Sequence, residues 1–155
     1  MSRRRDPSTL DLFAWEPASV VAALPEEATG RGPLDLRIAK ALSYALDRAR
    51  DAGLRREDVA AELTEFLRRK VSLDMLNKWA APGSEAHRIP LDAFIGLVRV
   101  TGEIGLLGFV AEMFEQAVVP AKYAAVIELH QLEQAESEMA ARKAKVMAQV
   151  RGLRS

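Results

Sequence analysis

Proline and glycine cut this chain into helix-length pieces, and that punctuation constrains its fold more than any other feature. After Pro33, breakers fall between apolar repeats at Gly53, Pro82, Pro90, Gly102 and Pro120. Proline lacks the donor a helix interior needs and glycine favours a helix end, so helices are expected to stop at these points. Between them apolar residues recur at spacings of three and four, and no alternating polar and apolar run argues for a strand.

The pieces predict five helices over residues 34–117. Leu34 to Ala52 carries Ile38, Leu42, Ala45, Leu46 and Ala49 at helical spacing, with Gly53 as a stop. Arg55 to Leu67 sets Val59, Ala60, Leu63, Phe66 and Leu67 against Glu57, Asp58, Glu62 and Glu65 on the other side. Ser72 can cap a third helix that runs to about Ala81, because its hydroxyl can accept a bond from a free backbone N–H, while Asp74 complements the positive helix end. Pro90 suits the first position of a fourth, with Leu91, Phe94, Ile95, Leu97 and Val98, ended by Gly102. Glu103 to Ala117 forms the fifth, with Leu106, Leu107, Val110, Met113 and Phe114 expected inward.

The flanks differ. Residues 1–33 hold Pro7, Pro17, Pro25, Gly30, Gly32 and Pro33, a density that points to an extended N-terminal arm. Residues 118–155 read as one long C-terminal helix, because past Pro120 there is no proline and no glycine until Gly152. Its Leu129, Leu132, Met139, Val146, Val150 and Leu153 fit a heptad frame interrupted by Glu136 and Lys143, so it either pairs with a second copy as a coiled coil or lies on its own domain. The expected fold class is all-α.

Length and chemistry narrow the function. A chain of 155 residues, about half apolar, suits one compact domain with extensions. It has no cysteine, which excludes disulfides and thiolate metal sites. No apolar run approaches the roughly 20 residues that span a bilayer, and the start "MSRRRDPSTLDLF" lacks the apolar core of a secretion signal, so a cytoplasmic protein with no membrane partner is expected. The two histidines, His87 and His130, are far apart in sequence and suggest no metal site. No phosphate-binding glycine loop, nucleophile elbow or dense carboxylate–histidine group is present, so neither an enzyme nor a cofactor is expected.

The 22 basic and 22 acidic side chains cancel, leaving no global field to draw the protein to nucleic acid. Between Arg55 and Arg88 the bases Arg55, Arg56, Arg68, Arg69, Lys70, Lys78 and Arg88 barely outnumber Glu57, Asp58, Glu62, Glu65, Asp74 and Glu85. Arrangement carries more than charge. The third helix turns Met75, Leu76 and Trp79 to one side and Asp74, Asn77, Lys78 and Ala81 to the other. A helix that enters a major groove needs such an anchored stripe and such a polar stripe. Asn77 suits adenine, Lys78 guanine or a phosphate, and Asp74 a cytosine amino group. Arg68, Arg69 and Lys70 precede the Ser72 cap, and Arg88 follows the helix; these cations suit phosphates or are simply solvated.

These residues resemble the lambda-repressor-like helix-turn-helix class, at Glu57, Asp58, Val59, Ala60, Leu63, Val71, Ser72, Leu76 and Trp79. The chain departs from that pattern where "TEFLRR" adds about one helical turn before the third helix. More broadly, residues 11–151 look like a group of small proteins of Mu-like transposable phages and prophages. The shared stretches are "DLFAWEP" at Asp11 to Pro17, "HRIP" at His87 to Pro90 and "AVVPAKY" at Ala117 to Tyr123. The resemblance implies a DNA-binding regulator of phage transcription or transposition.

Two expectations follow from different classes. One is a sequence-specific binder of double-stranded DNA, working through Arg68, Arg69, Lys70, Ser72, Asp74, Asn77, Lys78 and Arg88 as a homodimer joined by the C-terminal helix. The other is a protein-interaction adaptor on a helix-turn-helix that does not bind DNA, suggested by neutral charge, Asp74 and the lengthened turn. In the arm, "TLDLF" at Thr9 to Phe13 resembles the bacterial sliding-clamp-binding motif through Leu10, Leu12 and Phe13. A second reading is that Leu12, Phe13 and Trp15 dock on this protein or its dimer mate, and a third is that Arg3, Arg4 and Arg5 follow a minor groove.

Overall fold

The computed structural model describes residues 19–84 and 86–153. Among them are seven helices and no strand: α1 (Glu26–Thr29), α2 (Leu34–Asp51), α3 (Arg56–Leu67), α4 (Leu73–Trp79), α5 (Leu91–Thr101), α6 (Gly105–Glu112) and α7 (Ala124–Gly152). A 3-10 turn at Ala121–Tyr123 precedes α7.

The five helices expected over residues 34–117 are α2 to α6. They share one apolar core, in which Leu42 and Leu46 of α2 meet Val59 and Leu63 of α3, Leu76 and Trp79 of α4, Leu97 of α5, and Leu106 and Phe109 of α6. Removing side chains of this size from water stabilises the fold by roughly 1.5–3 kcal/mol each. The most extensive packing joins α3 to α5. Gly96 permits it, because a Cβ there would stand 2.8 Å from the Leu63 side chain and 3.1 Å from Phe66. Phe66 is only half-covered despite its place in the apolar stripe of α3, and the Arg99 guanidinium lies over its ring at 5.4 Å.

Helix α6 differs from its expected form. It ends at Glu112 instead of Ala117, in a turn where Glu115 adopts φ 55° and the Gln116 N–H donates to the Ala111 carbonyl at 3.0 Å. Of the residues expected inward only Leu106 is buried; Leu107, Val110, Met113 and Phe114 are exposed, and Gly105, Gly108 and Phe109 complete the inward face. Both faces of α6 are apolar, so helical spacing alone does not choose between them. The choice is made by small residues. The Ala22–Leu24 backbone crosses α6 at Gly105 and Gly108, where a Cβ on Gly108 would overlap the Ala22 carbonyl and one on Gly105 would stand 2.7 Å from the Leu24 side chain.

This crossing corrects the reading of residues 1–33 as an extended arm throughout. The Ala22 N–H donates to the Val118 carbonyl at 2.8 Å, forming an isolated antiparallel bridge, and Glu26–Thr29 makes a helical turn with Thr29 buried. Prolines and glycines reported irregular backbone correctly, but irregular backbone can also be packed. Arg3, Arg4, Arg5, Leu10, Leu12, Phe13 and Trp15 lie outside the described residues.

Helix α7 has no buried residue along its whole length, so it does not lie on its own domain. No helix among the described residues is long and apolar enough to cross a membrane.

Gly108→Ala is expected to displace the Ala22–Leu24 crossing while α2 to α5 stay folded. Forcing a methyl into that contact should lower stability by about 1–3 kcal/mol in urea unfolding, and limited proteolysis should cut first near Ala22.

Candidate functional site

The exposed face of α4 is set by how the chain leaves α3. Helix α3 ends where Arg68 takes a left-handed conformation, φ 52°. The turn that follows is fastened to α3 by Thr64. Its hydroxyl accepts the Val71 N–H at 2.9 Å, and its own proton lies between the Ala60 carbonyl at 2.9 Å and the Val71 carbonyl at 3.1 Å. Val71 is buried beside it. Ser72 then caps α4 as expected, its hydroxyl accepting the Met75 N–H at 3.1 Å.

Leu76, Trp79 and Ala80 bury the inner side of α4, with Met75 half-buried against the core. Asp74, Asn77 and Ala81 are exposed and Lys78 half-exposed. The two stripes expected of this helix are therefore both present. Pro90 occupies the cap of α5, one position before the first helical residue.

The polar stripe is not free, and here the structure adds partners that lie far apart in the sequence. Asn77 Oδ1 accepts from Arg56 Nη1 at 2.9 Å, and the other arm of Arg56 reaches Asp47 of α2 at 3.3 Å. Lys78 Nζ stands 2.7 Å from Asp74 Oδ2, one helical turn back. Arg69 grips Asp92 at the start of α5 through contacts of 3.0 and 3.1 Å. Arg88 approaches Asp35 of α2 at 3.8 Å, on the wall of an open groove of about 420 Å³ that Leu34, Ile38, Trp79 and Ile89 also line. Arg68 and Lys70 have no ion-pair partner among the described residues.

Thus each expected site residue is placed. Ser72 is a structural cap; Asn77, Lys78, Asp74, Arg69 and Arg88 hold internal contacts; Arg68 and Lys70 stay open to solvent. Sequence reading missed Arg56, Asp47, Asp92, Asp35 and Thr64. No local pattern marks Arg56 with Asn77 or Arg69 with Asp92, because each pair spans more than twenty residues. Thr64 is more legible, since a threonine near a helix end often bonds backbone on either side of it.

Electrostatics follow from the same pairs. The hydrogen bond from Arg69 holds the Asp92 carboxyl below the usual carboxylate range, helped by the Ala93 N–H. Arg55 does the same to Asp58, which also accepts the Arg55 N–H at the entry to α3. These pairs are exposed, so water and other anions compete for them readily. His87 Nδ1 lies 3.2 Å from Ser84 Oγ, and His130 pairs with Gln134. No group of three or more metal-ligating side chains occurs among the described residues.

Thr64→Val should leave the buried Val71 N–H without a partner and lower stability by about 1–3 kcal/mol, read by chemical unfolding. Asp92 is depressed in the folded state, so its contribution to stability is present above the unfolded carboxyl value. That contribution fades as pH falls through the lowered one. Arg69→Ala should move the Asp92 titration midpoint, followed by carbon NMR, back up toward an ordinary carboxylate.

None of the protein-family models matches this chain, and no curated protein or solved structure matches it significantly.

Proposed function

We propose that this chain is a sequence-specific binder of double-stranded DNA in which α3, the Thr64-fastened turn and α4 form a helix-turn-helix. One observation carries the reading: α4 is anchored by Leu76 and Trp79 while Asp74, Asn77, Lys78 and Ala81 face outward. In the complex α4 lies in the major groove. Asn77 exchanges Arg56 for an adenine edge, and Lys78 leaves Asp74 for a guanine or a phosphate. Arg56, released from Asn77, keeps Asp47. Arg68 and Lys70, with no internal carboxylate to leave, reach the backbone beside the groove, and Arg69 and Arg88 join them by exchanging Asp92 and Asp35 for phosphate.

The resemblance to proteins of Mu-like phages supports a role in regulating transcription or transposition. Two copies joined through α7 would present two such helices, so the preferred site has two related halves.

A second reading rests on the same ion pairs. Asp92, Asp74 and Asp35 already neutralise Arg69, Lys78 and Arg88, as an adaptor that contacts protein would have them. Salt separates the two. A DNA binder loses affinity steeply with rising salt, whereas an adaptor shows no duplex binding even at low salt.

Sequences selected from a random duplex pool should yield a defined motif. Against that motif, Asn77→Ala should weaken binding by about 1–3 kcal/mol, and Lys78→Ala should do likewise if it reads a base. Both changes lie outside the core and should shift stability by no more than about 0.5 kcal/mol. Lys70→Ala should weaken binding to all sequences alike and reduce the salt slope by about one. Unchanged affinity in all three variants would sink the assignment of α4.

A further inference from the structure

Helix α7 runs for 29 residues without burying one, yet Leu129, Leu132, Met139, Val146, Val150 and Leu153 fall on one stripe along it and its C-cap, each between 46% and 86% exposed. Most of a helix's stability in a protein comes from packing its apolar face, and an apolar stripe of this length gains most by meeting another helix. Two charges interrupt the stripe. Glu136 and Lys143 occupy equivalent positions seven residues apart, roughly 10 Å along the axis, too far to neutralise each other within one helix. Neither has an ion-pair partner in its own chain among the described residues.

We infer that α7 pairs with the α7 of a second copy in antiparallel orientation, with Glu136 one layer from the partner's Lys143. A parallel pair would set Glu136 against the partner's Glu136 and Lys143 against the partner's Lys143, two like-charge contacts in a desolvated seam. Antiparallel pairing centred near residue 141 removes both. It seats Leu132 against the partner's Val150 and Leu129 against the partner's Leu153, and brings each glutamate within one layer of a lysine. The stripe is then complementary to itself under a two-fold axis. In this arrangement the two Ala124 residues that open α7 stand about 50 Å apart along the coil, so the two domains sit at its opposite ends.

This inference rests on reading the α7 stripe as a dimer seam, and it is tested without DNA. The chain has no cysteine, so single cysteines report geometry cleanly. Full-length Leu132→Cys and Val150→Cys variants, oxidised separately, should stay uncross-linked; mixed before oxidation, they should form the mixed dimer. Self-cross-linking of either variant alone overturns the antiparallel orientation. A monomer in sedimentation at every concentration overturns the seam itself. Charge reversal gives a second reading, because Glu136→Lys should weaken the dimer on the order of tenfold and adding Lys143→Glu should restore it. In a parallel pair the single reversal only replaces one like-charge contact with another, so an unchanged dimer constant also overturns the orientation. Correct cross-linking with no duplex binding would leave the seam standing and remove the DNA reading alone.

Discussion

The close approach of α3 to α5 over Gly96 sets the position of everything that follows it. Because no side chain stands at Gly96, Leu63 and Phe66 settle directly on α5, and α3 is held at a fixed depth in the core. The turn after α3 inherits that position through Thr64, whose hydroxyl binds Val71 from one side and the helix from the other. Helix α4 inherits it in turn, through the Ser72 cap and the burial of Leu76 and Trp79. The orientation of the exposed stripe is therefore a consequence of core packing rather than of anything in the stripe itself.

Around α4 the protein keeps its charges in balance. Arg69, Lys78 and Arg88 each meet a carboxylate from the same or a neighbouring helix, and Arg56 links Asn77 to Asp47. Such contacts hold long side chains near one geometry without adding much to stability at the surface. They also suit a surface that must exchange partners, because an exposed ion pair surrenders a cation to a phosphate at little expense. Under the DNA-binding reading proposed above, a chain of zero net charge would release its cations only on contact, which would favour selectivity over indiscriminate attraction.

The outer elements obey the same packing logic with different outcomes. Helix α6 is apolar all round, and a strip of backbone from Ala22 to Leu24 takes the side that Gly105 and Gly108 leave flat. Its other side keeps Leu107, Val110, Met113 and Phe114 in solvent. Helix α7 begins just beyond Val118, the residue that pairs with Ala22, so the start of the described chain and the root of α7 meet at one corner of the domain.

The sequence by itself determined the elements. Gly53, Pro82, Pro90 and Gly102 mark the ends of α2, α4 and α5 and the entry to α5; Ser72 marks the start of α4, and the breaker-free tail marks α7, because these signals act on backbone within a few residues. It also determined the two stripes of α4, since helical periodicity assigns each residue to a side once the helix exists. Tertiary structure alone decided which face of α6 is buried, that the chain from Ala22 is packed instead of extended, and that Arg56 holds Asn77 while Asp92 holds Arg69. Those outcomes depend on groups that meet across tens of residues, where a close backbone approach or a shared proton leaves no periodic trace in the chain.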